Sequence, residues 1–202
     1  MGSIRRIVTF NWMTANGYFA AADGNLDWVV PDAEQAKAAV ANIPLFDTVL
    51  FGRRTYEIFE KFWSRADDDS STAPDPHHPG ERTSEHHAIA KWLNETTKLV
   101  FSSSLKNATW KRSRIVHEVD PREIEKMKRE AGKDMTIFGS GSIVSQLTEH
   151  GLIDEYQFVL CPVLLGSGRP LLTGVSKNCK LELVEAKPYL SGDVLLRYRR
   201  SN

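Results

Sequence analysis

The alternation of apolar and polar stretches along the chain predicts strands that alternate with helices for most of its length. Short runs rich in β-branched and aromatic residues predict strands, because such side chains pack well on a sheet. Apolar residues that recur every three or four positions behind a capping residue predict helices. The predicted strands are residues 4–12, 48–51, 98–102, 115–117, 135–138, 155–163, 181–186 and 194–199. The predicted helices are residues 32–42, residues 53–62, a segment opening at residues 120–123 and a short segment after residue 142.

The order of these elements predicts an α/β fold. Strands that alternate with helices favour a mostly parallel central sheet with helices on both faces. The last two strands, residues 181–186 and 194–199, follow each other without a helix and meet through Ser191 and Gly192. They therefore predict antiparallel strands at the C-terminal end.

A length of 202 residues favours one domain that spans residues 1–202. One stretch, residues 64–87, breaks the periodic pattern with three of the nine prolines and a run of three aspartates. Irregular segments of this length are usually lids or disordered loops, so we expect a surface insertion here. Four of the six histidines lie in this stretch, and we expect a solvated loop rather than a metal site: His77, His78, His86 and His87.

Charge and apolar content narrow the class of partner. The chain has 26 basic and 26 acidic residues, so it lacks the basic excess typical of nucleic-acid binders. The longest nearly apolar run, residues 158–165, is far too short to span a bilayer, and the start of the chain has no signal-peptide pattern. We therefore expect a cytoplasmic protein with no nucleic-acid or membrane partner.

Two strand-to-helix turns carry the first chemical signal. The strand of residues 48–51 leads into Gly52, Arg53, Arg54 and Thr55, and the strand of residues 135–138 leads into Gly139, Ser140, Gly141 and Ser142. Glycine lets the backbone approach a ligand, and the N-terminus of a helix attracts anions. Both turns lie at the carboxyl ends of strands, where open α/β sheets bind ligands. Each turn alone is also compatible with simple packing, but together they predict a phosphate-binding cradle.

A third polar turn, Ser102, Ser103 and Ser104, follows the strand of residues 98–102. Its hydroxyls are suited to a phosphate, although an ordinary polar loop has the same composition.

These three segments, in this order, resemble the cofactor-binding segments of dihydrofolate reductases. The matching stretches are residues 51–56 (FGRRTY), 100–103 (VFSS) and 137–141 (IFGSG). Residues 152–155 (LIDE) and 162–171 (PVLLGSGRPL) resemble the RibD C-terminal family, the reductase domain of riboflavin biosynthesis.

The resemblance implies a dihydrofolate-reductase-like fold, NADPH as cofactor and a homodimer. It places Arg53, Arg54 and the three serines near the adenosine 2′-phosphate, and Gly139 to Ile143 over the pyrophosphate. The residue types independently favour the assignment of Arg53 and Arg54, because a 2′-phosphate needs cationic partners. Residues 164–171 are a candidate contribution to the dimer contact.

The resemblance leaves two candidates for a catalytic carboxylate. Dihydrofolate reductases place an acid shortly after a Trp-x-x-Pro segment, and here Trp28 to Pro31 is followed at once by Asp32. RibD-like relatives carry a Leu-Asp-Trp segment, which favours Asp27 instead. Asp32 is also well suited to cap the following helix. Tyr18 and Trp28 are candidates to stack on a flat heterocycle.

The sequence thus predicts an NADPH-dependent reductase acting on a small nitrogen heterocycle, either pterin-like or an aminopyrimidine. The H-x-E and P-C-x-x-C signature of zinc deaminases is not present in the chain. The alternative is a nucleotide-binding sensor or interaction module that keeps the cradle without turnover.

Overall fold

A computed structural model describes residues 4–30, 32–66 and 83–201. The strands are β1 (Ile7–Thr14), β2 (Tyr18–Ala21), β3 (Phe46–Gly52), β4 (Thr97–Phe101), β5 (Ser113–Val116), β6 (Asp134–Phe138), β7 (Glu155–Cys161), β8 (Gly168–Pro170), β9 (Leu181–Pro188) and β10 (Val194–Arg200). The α-helices are α1 (Ala33–Asn42), α2 (Arg53–Trp63), α3 (Ser84–Glu95), α4 (Pro121–Arg129) and α5 (Gly141–Glu149), and a 3₁₀ turn covers Ile43–Leu45.

Eight of these strands form the central sheet, in the order β5-β4-β3-β6-β1-β7-β10-β9. The first six are parallel, and β10 pairs antiparallel with both β7 and β9. The predicted mostly parallel sheet with antiparallel C-terminal strands is therefore confirmed. The carboxyl ends of β4, β3, β6 and β1 lie side by side along one edge of the sheet.

Helices cover both faces of the sheet, because successive strand residues point to opposite sides. On one face, Leu50 and Leu99 belong to a buried cluster that includes Leu147 of α5. On the other face, Val49 and Phe51 pack with residues of α2 and α3. The predicted placement of helices on both faces is thus confirmed, with α4 and α5 on one side and α2 and α3 on the other.

The structure corrects the predicted surface insertion at its C-terminal end. Helix α3 begins at Ser84, and the side chain of Thr83 caps it by accepting a hydrogen bond from the backbone N–H of His86. His86 is buried and stacks on Trp63 at a ring distance of 4.6 Å, so the expected solvated setting is wrong for this residue. Residues 67–82, including His77 and His78, lie outside the described residues.

The short antiparallel pair of β2 and β8 was not predicted, because strands of four and three residues leave too little pattern to detect. Strand β1 also ends two residues later than predicted, at Thr14.

A buried lysine closes the C-terminal end of α3. The Nζ atom of Lys98 donates hydrogen bonds to the backbone oxygens of Leu93 at 2.5 Å and Thr96 at 2.8 Å, and lies over the ring of Trp110. Burial, with a smaller contribution from the charges of Lys111 and Arg112, lowers the pKa of Lys98 to about 8. The helix end is therefore stabilised by a group whose charge costs folding free energy at neutral pH.

We predict that Lys98 makes the protein more stable as the pH rises from 8 to about 10. In this window the unfolded chain holds the lysine proton and the folded chain has released it, so the free energy of unfolding increases with pH. Full titration corresponds to roughly 3 kcal/mol. Urea unfolding of the wild type and Lys98→Met at several pH values tests this. The difference in free energy of unfolding between the two proteins removes the contributions of the other titrating groups. A difference that does not change with pH would contradict the prediction.

Candidate active site

The two predicted turns lie against each other at the carboxyl ends of β3 and β6. The backbone N–H of Gly52 donates to the Oγ of Ser140 at 3.0 Å. In return, the backbone N–H of Ser140 donates to the Oγ1 of Thr55 at 3.2 Å. These reciprocal bonds hold the starts of α2 and α5 side by side, as a shared phosphate cradle requires.

Polar side chains of strand β1 hold the second turn in place. The Nδ2 of Asn11 donates to the backbone oxygen of Gly139, and the Oγ1 of Thr9 donates to the amide oxygen of Asn11. Both polar side chains are buried on β1. Gly139 and Ser140 are held in left-handed conformations with φ of 54° and 53°. Such a conformation costs a non-glycine residue about 1–2 kcal/mol, so the surrounding bonds must maintain it.

Two helices differ from the rest in how they begin. Asp32, Thr83 and Asp120 cap α1, α3 and α4 through side-chain oxygens that accept backbone N–H groups. Among the described residues, no side chain caps α2 or α5, the two helices that start at the cradle. The free N–H groups and positive ends of these two helices therefore suit a bound anion.

The two arginines at the start of α2 have different surroundings. The Nη1 of Arg53 is paired with both carboxylate oxygens of Glu57, at 3.0 and 3.1 Å. Arg54 is exposed and forms no ion pair with any residue in the described part of the chain. Among the described residues, Arg54 is therefore a cation at the start of α2 that has no ion-pair partner.

Of the remaining predicted cofactor residues, some are buried and some are exposed. Ser102 is buried and its Oγ accepts from the backbone N–H groups of Ser104 and Leu105, so this hydroxyl shapes its own turn. Ser103, Ser104 and Ser142 are exposed. Ile143 is buried in the core, and its backbone N–H donates to the oxygen of Ser140. The side chain of Ile143 therefore supports the turn from inside.

A model of the RibD C-terminal domain matches residues 5–195, nearly the whole chain. The chain belongs to this family. Its relatives include the uncharacterized protein YyaP of Bacillus subtilis, which is 26% identical over 194 residues, covering 96% of this chain and 94% of that protein.

Solved structures show the same fold. A putative riboflavin biosynthesis protein from Shewanella sp. PV-4 matches with a TM-score of 0.73 and 19% identity, over 98% of this chain and 99% of that one. A dihydrofolate reductase from Enterococcus faecalis, complexed with NADP(H) and RAB-propyl, matches with a TM-score of 0.61 and 13% identity, over 98% and 97% of the two chains. The predicted resemblance and the dihydrofolate-reductase-like fold are both confirmed.

Within this RibD C-terminal domain, the two candidate acids have different settings. Asp32 is the cap of α1, and its Oδ1 accepts from the backbone N–H groups of Glu34 at 2.8 Å and Gln35 at 2.9 Å. Partial burial works to raise the pKa of Asp32, but these bonds and others from Ser191 outweigh it and lower the pKa. Asp32 is therefore held ionised. Asp27 is exposed on the loop before α1.

The two candidate stacking residues lie on separate elements. Tyr18 belongs to β2 and packs closely on Gly168 of β8, where a Cβ atom would be 2.6 Å from the Tyr18 ring. Trp28 is half-buried in the loop before α1, and its indole N–H is buried with no acceptor among the described residues. Such a group is an unused hydrogen-bond donor.

A row of half-exposed aromatic rings, which the sequence did not reveal, lies on the sheet face that carries α2. Phe10 is 5.5 Å from Trp12 and 6.3 Å from Phe138, and Phe138 is stacked on Phe59 at 5.8 Å. Phe10 and Phe138 are register partners on β1 and β6. Since Gly139 follows Phe138 directly, the row of Trp12, Phe10, Phe138 and Phe59 (the aromatic row) borders the cradle.

Two cavities of the domain lie elsewhere. One of about 350 Å³ is bordered by Thr148, Phe158 and Cys179, and one of about 410 Å³ by Arg5 and Glu95. Neither is lined by a predicted site residue. Within residues 4–30, 32–66 and 83–201, no group of three or more His, Cys, Asp or Glu side chains could hold a metal ion. Over the same ranges, no helix is long and apolar enough to cross a membrane.

We predict that Ser140→Ala destabilises the domain by about 1–3 kcal/mol, because the buried N–H of Gly52 loses its acceptor. Ser140→Gly should lose about 1 kcal/mol less, because glycine relieves the left-handed backbone. Chemical denaturation of both variants measures this, with the exposed Ser142→Ala as the matched control. Equal losses for alanine and glycine would contradict the role given to the backbone conformation.

Proposed function

We propose that this RibD C-terminal domain is an NADPH-dependent reductase that transfers a hydride to a small nitrogen heterocycle. The observation that supports the proposal is the pair of uncapped helix starts, bonded to each other through Gly52 and Ser140 at adjacent strand ends. The NADP(H) named with the structurally similar reductase of Enterococcus faecalis agrees with this arrangement.

The donors around the cradle fit the phosphates of NADPH. The free N–H groups at the starts of α2 and α5 suit the pyrophosphate, and the exposed guanidinium of Arg54 suits the 2′-phosphate. Ser103 and Ser104 add exposed hydroxyls after the neighbouring strand β4. The bound nicotinamide would supply the hydride.

The aromatic row suits the other reactant. These partly buried rings next to the cradle offer an apolar surface for a heterocycle such as a pterin or an aminopyrimidine. Trp28, which is half-buried in the loop before α1, is retained in the proposal as a ring that stacks on the heterocycle.

Reduction of a C=N bond adds a proton to the nitrogen, and the two carboxylates have different capacities for this. Asp32 is held ionised, so it favours a protonated substrate by its charge rather than by donating a proton. The side chain of Asp27 is exposed to solvent. We keep both as proposed catalytic groups.

The homodimer implied by the family resemblance is also part of the proposal. Leu164, in the segment proposed for the contact, is 75% exposed. Burying such a side chain against a second copy is favourable.

We predict that Arg54→Ala weakens NADPH binding by about 10- to 100-fold, the effect of losing charge-assisted bonds to a phosphate. NADH lacks the 2′-phosphate, so its dissociation constant should change by less than about three-fold. Arg53→Ala, which removes an arginine already paired with Glu57, should affect NADPH less. Calorimetric titration of both cofactors into the three proteins tests this, and equal losses for NADPH and NADH would refute the assignment.

We predict that Asp32→Ser keeps the cap of α1 and therefore the stability, whereas Asp32→Ala loses about 1 kcal/mol. If the charge of Asp32 assists reduction, Asp32→Ser should slow NADPH oxidation with an aminouracil or dihydropteridine acceptor by at least about ten-fold. Asp27→Asn is the parallel test of the rival carboxylate. Saturable NADPH binding without oxidation of NADPH by any acceptor would favour the non-catalytic sensor instead.

A further inference from the structure

A chain of hydrogen bonds lies at the Trp12 end of the aromatic row. The indole Nε1 of Trp12 donates to the Oε1 of Gln35 at 3.3 Å, and the Nε2 of Gln35 donates to the Oδ2 of Asp193 at 2.6 Å. The chain thus joins strand β1, the first turn of α1 and the start of β10.

The chemistry of the two partners fixes the orientation of the Gln35 amide. An indole N–H only donates, and a carboxylate only accepts. The amide oxygen of Gln35 must therefore face Trp12, and its nitrogen must face Asp193. Each amide atom retains further capacity, because the nitrogen has a second N–H and the oxygen a second lone pair.

Asp193 is itself held in place. It is only 2% exposed, and its backbone oxygen accepts from the N–H of Tyr189. Cys161, on β7, is also buried, and burial together with the adjacent Asp193 raises the pKa of its thiol to about 12. A thiol that stays protonated is compatible with a neighbouring carboxylate, whereas a thiolate would repel it.

Gln35 adjoins the Trp12 end of the aromatic row. Gln35 is half-buried, bonded to the first ring of the row, and the row runs from there to the cradle. We propose that Gln35, oriented by Asp193 and Trp12, reads the hydrogen-bonding edge of the bound heterocycle. This inference rests on the proposed function.

The arrangement favours one chemical class of ligand. One N–H donor beside one oxygen acceptor matches a ring lactam, in which an N–H donor lies next to a C=O acceptor. A flat pteridine or pyrimidine with a free lactam N–H is therefore the preferred ligand, and a ring alkylated at that nitrogen is rejected. Asp193 is a positioning residue here, because it acts on the ligand only through Gln35.

The test compares two pteridines of similar shape, lumazine and 1,3-dimethyllumazine, in which methyl groups replace both lactam N–H donors. Dissociation constants are measured by calorimetry on the full chain, with and without NADPH. We expect the wild type to bind lumazine at least about ten-fold more tightly than the dimethyl compound. Gln35→Met, which keeps a flexible side chain but removes both polar atoms, should bring this ratio close to one.

Asp193→Asn tests the positioning role. An asparagine can donate as well as accept, so only Trp12 still fixes the orientation of the Gln35 amide, and the ratio should fall to about three-fold. Glu34→Gln is the matched control on the same helical turn, because Glu34 pairs with the surface residue Lys187 and should leave the ratio unchanged. Circular dichroism melts of all variants identify any that do not fold. If Asp193→Asn does not fold, Gln35→Met carries the test alone.

The outcomes separate this inference from the proposed function. If the wild type binds neither pteridine, binds both equally, or keeps its preference in Gln35→Met, the role of Gln35 is overturned, even where NADPH binds and is oxidised. If the preference depends on Gln35 but NADPH does not bind, the edge-reading role holds and the proposed reductase activity fails.

Discussion

The hydroxyl of Ser140 is the contact on which the geometry of the site depends. It accepts the buried N–H of Gly52, which brings the start of α2 against the start of α5. Neither helix has a side-chain cap among the described residues, and this bond holds their two starts next to each other. The left-handed backbone at Gly139 and Ser140 and the buried Asn11 beneath it all serve to aim that hydroxyl.

The same end of the domain combines two kinds of surface. Uncapped helix starts and Arg54 form a polar, cationic side, and the aromatic row forms an apolar side. They meet at Phe138 and Gly139, which are consecutive in the chain. A ligand pair consisting of an anionic nucleotide and a flat ring fits such a boundary, since each half of the pair has its own kind of surface.

The turns were predictable from short stretches of sequence, whereas the contacts that hold them join residues far apart in the chain. Gly52 and Gly139 stand out because two glycine turns occur at equivalent strand ends, and the cap formed by Asp32 follows from residue type and position. Helix α3 escaped prediction because its start lies beside a proline- and aspartate-rich stretch. The pairing of Gln35 with Asp193 joins residues 158 positions apart, and no local pattern signals such a contact. Thr9 and Asn11 were detectable in principle, as polar residues two apart in an apolar strand.

The position of β10 has a consequence for the order in which the protein is made. This strand inserts between β7 and β9, and Asp193 immediately precedes it. During synthesis α1 emerges early, so Gln35 has no Asp193 partner until 158 further residues have been made. A nascent chain that stops before Asp193 has the residues of the cradle but a Gln35 that is bonded to Trp12 alone. The contact between Gln35 and Asp193 therefore forms only after the cradle residues have been made, and a chain truncated between them lacks it.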